Sequence, residues 1–218
     1  MRNREPSSER PRDVGRLEAF SDGVFAFAAT LLALGIRIPR AADADASRGL
    51  AQLIAAEWPS VFAFALGFTT IGIIWANHHA MFAYFDRTDR AIVMLNVAGL
   101  AFIAFLPVPT GVLGSWLASE RDRFAAVVLY GGTLIFFGLV NLALWWYAAY
   151  VGNVTHALAR AERRTLTLTW SGGPLLYGAF VSLAFVDPRI SIAGFVLIHV
   201  LYLIPTRRLV AIAQRRRR

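Results

Sequence analysis

An apolar stretch at residues 16–39, RLEAFSDGVFAFAATLLALGIRIP, constrains what this chain can fold into more than any other. As a helix it is long enough to cross a bilayer, which takes roughly 20 residues. Yet it opens with Arg16, Glu18 and Asp22, and Ser21 stands beside the last of these. At about 100° per residue, Phe20, Gly23, Phe27, Thr30, Leu31 and Leu34 fall on one side of that helix. Asp22, Ala26, Ala29 and Ala33 fall on the other. Small residues let membrane helices approach closely, so the alanine side is predicted to be the packed one. Asp22 then needs a partner within the protein, because an acid inside a span is costly unless paired.

Five more apolar runs follow, at 53–85, 91–106, 124–150, 166–186 and 190–204. Pro59 stands near the start of the second run, with Gly67 and Gly72 inside it. Pro107 and Pro109 kink or end the third. Trp145, Trp146, Tyr147 and Tyr150 close the fourth as an aromatic belt of the kind found at membrane interfaces. The composition agrees: 57% of the 218 residues are hydrophobic and only 17% charged, with a mean hydropathy of +0.53. A soluble domain of this length would carry more charge. The predicted fold class is an all-α membrane protein with six transmembrane helices. Residues 1–15 read as a disordered cytoplasmic tail, 16–206 as the six-span domain and 207–218 as a basic tail. Ala44-Asp45-Ala46 resembles a signal-peptide cleavage site, but the first run is too long for a signal sequence and an acid at its start is unusual.

Six spans put both termini on one side. The two tails, the 86–90 turn and the 160–164 loop share that side and hold most of the arginines, which makes it cytoplasmic in a multi-pass cell-membrane protein. The net charge of +8 is carried by arginine, with no lysine in the chain. Arginines placed between spans and at the ends read as topology signals and anionic-lipid contacts, not as a nucleic-acid surface. With no cysteine there is no disulfide or thiolate chemistry.

Topology brings Trp75, His78, His79 and Asn96 to a depth similar to that of Asp22. Two readings fit Arg16 and Asp22: an interfacial charge pair that anchors the helix among headgroups, or part of a buried polar network with those four residues. His78 and His79, adjacent on a helix, splay apart, and no HExxH or carboxylate-rich set joins them. A structural or pH-sensitive hydrogen-bonding role fits them better than a metal site. His156 reads as a solvated loop residue and His199 as a hydrogen-bonded packing residue. On pattern alone, Phe27, Thr30, Leu31 and Leu34 read as ordinary packing or a lipid-facing stripe. The sequence has no TVGYG-like filter, no arginine-every-third helix, and no nucleotide-binding loop, GxSxG or zincin motif. No enzyme activity and no cofactor are expected.

The R-x-x-x-F-S-D pattern of Arg16, Phe20, Ser21 and Asp22 resembles the signature of the transmembrane protein 175 family, the endolysosomal potassium channel and its bacterial relatives. The run Trp75-Ala76-Asn77-His78-His79 is similar too, as are Asn96 and Leu106-Pro107-Val108-Pro109-Thr110. These cover roughly the first half of the chain. The second half matches only in hydropathy layout. The resemblance implies a homo-oligomer, a tetramer, in which the first helix of each subunit lines a central pore. It puts Phe27, Leu31 and Leu34 at an apolar constriction and Thr30 at a position that contributes to ion selectivity. Phe27 departs from the Ile or Leu usual there, and its ring narrows the path. Arg16, Ser21 and Asp22 would hold the first helix in place. The expected activity is passive, potassium-favouring cation conduction, with potassium ions as the permeant species. The rivals are a proton-coupled carrier or proton conductor using Asp22, His78 and His79, a membrane enzyme, and a non-conducting scaffold.

Overall fold

The computed structural model describes residues 12–40, 49–152, 154–156 and 158–203. Within them the regular structure is helical, joined by turns and short loops, with one isolated antiparallel bridge, Phe85 to Thr155. Helix α1 spans Arg12–Leu31 and tightens into a 3₁₀ turn at Leu32–Gly35. A short α2, Leu50–Ala56, leads into α3, Trp58–Phe82. Then come α4 (Arg90–Phe105), α5 (Pro107–Trp116) and α6 (Arg123–Trp146), which ends in a π-helical turn at Tyr147–Val151. Helices α7 (Arg160–Leu183) and α8 (Pro188–Leu203) complete the bundle. Four helical stretches are long and apolar enough to cross a membrane: Asp13–Gly35, Trp58–Phe82, Arg90–Trp116 and Arg123–Val151.

Several boundaries differ from the sequence reading, each for a local reason. Helix α1 begins by Arg12, inside the segment read as a tail; the rest of that segment, the 41–48 loop and the 207–218 tail lie outside the described residues. The 53–85 run is not one helix. It breaks at Glu57, because Pro59 sits in the first turn of α3 and has no N–H to continue the ladder from α2. At Pro107 the opposite happens. Leu106 keeps helical angles (φ −55°, ψ −32°), so α4 and α5 run on as one 27-residue span with an altered hydrogen-bond pattern. Helix α7 opens with Arg160, Glu162, Arg163 and Arg164 and continues through Thr165, Thr167 and Thr169, which makes it far less apolar than α6. Helix α8 is a shorter apolar helix.

Caps and turns hold the ends. The Asp89 carboxylate accepts from the N–H of Ile92 at 2.9 Å and starts α4 as an N-cap. The turn before it is pinned to the segment after α6 by Asp86 N–H to the Val154 carbonyl (2.9 Å) and His156 N–H to that of Tyr84 (3.2 Å). His156 is exposed and stacks on Tyr84.

Helix α1 packs on α3 and α4, α3 on α5, and α6 on α4, α5 and α7; α8 closes against α3, α6 and α7. A central core gathers Phe25, Ala28, Leu32, Leu66, Leu113 and Tyr130. A second one, at the end where α1 starts and α3 finishes, gathers Val14, Leu17, Phe82, Ile92 and Trp145. Small residues set the closest approaches. A Cβ on Gly114 of α5 would stand 3.0 Å from the Ser60 Cα of α3, so the two backbones nearly touch there.

Candidate functional site

Helix α1 has two faces of opposite character. Leu17, Glu18, Ser21, Phe25, Ala28 and Leu32 are buried against α3 and α4. Phe20, Phe27 and Leu34 are 56%, 64% and 80% exposed. Thr30 is exposed with them and Leu31 is half-buried. Thr30 donates its hydroxyl to the Phe27 carbonyl at 2.8 Å, a local bond that leaves its oxygen lone pairs facing outward. The predicted packed side is a misreading. Ala26 and Ala33 are exposed, and Asp22 and Ala29 are half-buried on the flank. The true seam lies between the two faces derived from sequence and centres on Ser21, Phe25, Ala28 and Leu32. Phe25 and Leu32 fill the space beside α3 and α4, while Ser21 and Ala28 allow close approach between them.

Three polar links tie α1 to its neighbours. Asn96 of α4 donates its amide N–H to the Ser21 hydroxyl at 3.0 Å. Ser21 in turn donates to the Leu17 carbonyl at 2.8 Å. His78 of α3 reaches the Asn96 amide oxygen through Nε2 at 2.9 Å, and that acceptor makes Nε2 the protonated nitrogen. The ring of His78 stacks on Phe82 at 4.3 Å and meets the edge of Phe25 at 5.3 Å, so it is held by packing as much as by its bond. The second link is Trp75, whose indole N–H donates to Asp22 at 2.8 Å on the exposed flank. The third pairs His79 Nδ1 with Glu18 at 2.6 Å.

The candidate partners of Asp22 thus separate. Trp75 meets Asp22, His79 meets Glu18, and His78 with Asn96 meets Ser21. Glu18 is 7% exposed; the sequence reading named it in the charged start of the first span but gave it no place in the polar network. One signal was available: an acid one turn before Asp22, at the depth of a histidine pair in an adjacent span. Arg16 stands apart. It is exposed and forms no ion pair with Asp22 among the described residues. The charge-pair reading is therefore corrected and Arg16 stays outside the cluster, while the expected partner of Asp22 on another helix is found in Trp75 of α3. No three His, Asp or Glu side chains converge as a metal site among the described residues.

A second buried cluster joins α3, α6 and α8. Thr70 is 2.7 Å from the Tyr130 hydroxyl and 2.6 Å from His199 Nε2. His199 Nδ1 lies 2.6 Å from the Phe195 carbonyl, so that nitrogen carries the proton and Nε2 accepts from Thr70. This satisfied ring is a packing residue.

A sequence profile described as the endosomal/lysosomal potassium channel TMEM175 matches residues 16–107, which hold α1, α3, α4 and every member of the three polar links. A protein named as a potassium channel from Streptomyces collinus is 39% identical over 193 residues, covering 86% of this chain and 90% of that one. The chain belongs to the TMEM175 family. This is a family of membrane ion channels, not of enzymes. The crystal structure of a lysosomal potassium-selective channel TMEM175 homologue from Chamaesiphon minutus superimposes with a TM-score of 0.78 at 33% identity, over 87% of this chain and 95% of that one. The human protein named endosomal/lysosomal proton channel TMEM175 is 30% identical over 168 residues, and the match takes in 32% of its length. For this TMEM175-family chain, the matched region and the three polar links coincide.

Proposed function

We propose that this chain is one subunit of a symmetric homotetramer that conducts cations passively and favours potassium. The observation that carries the reading is the two-faced α1. One face is held by Ser21, Asn96 and His78, while the other leaves Phe20, Phe27 and Leu34 more than half exposed. Apolar groups of that size on a fixed helix face lipid or a partner surface, and the likeness to a channel structure favours the second. Four copies around an axis turn the stripe into a wall. Phe27, Leu31 and Leu34 then form an apolar constriction that gates by dewetting, and Thr30 supplies an oxygen within it. Relatives from Streptomyces collinus and Chamaesiphon minutus named as potassium channels support the choice of ion.

In this reading α7 and α8 join the four apolar stretches as the fifth and sixth spans. The arginine-rich tails and turns face the cytoplasm, and the subunit sits in the cell membrane with anionic lipid at its basic tails. Ser21, Asp22, Trp75, His78, His79 and Asn96 hold α1 in position and do not bind the ion.

Flux from potassium-loaded liposomes, with sodium substitution, tests the proposal. Thr30→Ala should change the potassium-to-sodium ratio, and Phe27→Ala should raise total flux. A well-folded oligomer with no flux in either cation, and none rescued by Phe27→Ala, would refute conduction along α1. A second reading, proton conduction or proton-coupled transport through Asp22, His78 and His79, is favoured by the name of the human relative. Flux driven by a pH gradient without potassium would select it.

A further inference from the structure

A cavity of about 80 Å³ lies between α3, α6, α7 and α8, with only its α3 wall inside the matched region. It shares only α3 with the neighbours of α1. Its lining is divided. Ile73, Phe137, Tyr177 and Ile198 form apolar walls, while Asn77 of α3 and Asn141 of α6 bring two carboxamides. Among the described residues neither carboxamide has a hydrogen-bond partner. Trp170 of α7 adds a buried indole N–H that is also unpartnered. Four residues further on, Pro174 has no N–H to return to the Trp170 carbonyl, so the same turn of α7 offers an acceptor beside that donor. Pro174 also packs on Gly138 so closely that a Cβ there would stand 3.0 Å from it, which draws α6 and α7 together beside the cavity.

None of the lining residues is charged. The cavity residues of α7 fall in the middle of that 24-residue helix, and the rim is made by Leu176 and Tyr202, 46% and 49% exposed. In the six-span arrangement that rim opens toward lipid chains. Asn77 and Asn141 are half-buried, whereas the Trp170 N–H is buried without a partner, which is costly in lipid unless something polar fills the space. The space holds several waters, or one small polar head with the start of its chain.

We propose that this cavity binds a neutral, hydroxyl-bearing amphiphile from the bilayer. Its hydroxyl donates to and accepts from Asn77, Asn141 and the Trp170 turn, and its chain leaves past Leu176 into the lipid. With no cationic side chain in the lining, a carboxylate or a phosphate head would find no counter-charge. Hydroxyls suit the site because one group can serve a carboxamide and the free carbonyl at once.

Photolabelling of the full-length oligomer in nanodiscs tests this without any flux measurement. The probe is a diazirine-bearing straight-chain octanol, with the matching diazirine octane as control, and labelled peptides are read by mass spectrometry. Saturable labelling of peptides covering 169–177 is expected, competed by octanol and not by octane. Asn141→Leu should weaken labelling about tenfold, the loss of one good polar contact. Trp170→Phe, which keeps the ring and deletes only the N–H, should weaken it severalfold, and both variants should elute at the wild-type oligomer size. Labelling that does not saturate, that octane competes equally, or that both variants leave unchanged would overturn the proposal. The first of these is the result for a cavity holding water only. Should Asn141→Leu fail to assemble, Trp170→Phe and the octane control decide alone.

Discussion

Asn96→Leu separates a structural role for the polar cluster from an incidental one. Asn96 is 2% exposed and makes two bonds, one to His78 and one to Ser21. Polar bonds between membrane helices average about 0.6 kcal/mol and reach about 1.7. The substitution also orphans His78. Its Nδ1 already has no partner, so the buried ring would lose the single bond it makes. Leaving a buried polar group unpaired costs about 1–3 kcal/mol. Together these predict a loss of about 2–4 kcal/mol, the orphaned histidine being the larger share. For a chain of this size each kcal/mol moves the unfolding midpoint by about 2–4 °C. A fall of roughly 5–15 °C is therefore expected in a thermal-stability assay that follows the oligomer peak by size exclusion. The double variant Asn96→Leu with His78→Leu should recover part of the loss, because replacing both partners by apolar groups removes the orphan. A single variant within about 2 °C of wild type would refute the assignment. So would a double variant that loses the simple sum.

Asp22→Ala should lower the yield of assembled oligomer more than it alters ion preference, since its carboxylate is spent on Trp75; normal assembly with changed selectivity would place Asp22 in the path instead. Gly131→Ala would drive a methyl group into Val181 and Phe195, where α6 meets α7 and α8. That overpacking should cost about 1–3 kcal/mol, visible as a lower midpoint, while Gly132→Ala, whose Cβ meets nothing within 4 Å, should cost far less. Burial pushes the Asp89 carboxyl up, but bonds from the Ile92 N–H and the Tyr147 hydroxyl, with the charge of Arg87, outweigh it and hold its pKa below the ordinary value. A group depressed in the folded state stabilises the fold above its unfolded pKa, about 3.9. That contribution disappears as pH falls through the lower folded value. Asp89→Asn should therefore lower stability at neutral pH, change it little below the folded pKa, and so leave a flatter profile across the acid range, as followed by melting across pH.

Much of the site was legible, and the limits are physical. Arg16, Phe20, Ser21 and Asp22 carry a pattern that a sequence displays directly, and the run from Trp75 to His79 carries another. The pool of polar residues that meet α1 was readable because topology fixes depth. Pairing within that pool was not. Which of Trp75, His78, His79 and Asn96 meets Asp22 depends on how α3 and α4 are rotated and shifted against α1. A residue's own periodicity carries no record of that rotation. The pairing of Glu18 with His79 was missed for the same reason, since nothing local shows that the two face each other. The break at Glu57 and the continuity through Pro107 show two prolines with opposite outcomes. Pro59 follows a weak, short α2, whereas Pro107 sits between two strongly apolar helices that packing keeps in line.

The sequence by itself determined that this chain is a helical membrane protein, where its main spans run, and which family it resembles. Hydrophobic length and local backbone chemistry suffice for that, because lipid permits a span only when it satisfies its own backbone. Only the tertiary structure decided which face of α1 is covered. A helix offers several possible seams, and the one chosen is where the side chains of α3 and α4 best fill space and pair their polar groups. With Ser21, Phe25 and Leu32 turned inward, Phe27 and Leu34 are left outside, and the surface proposed here as the ion path follows from that choice.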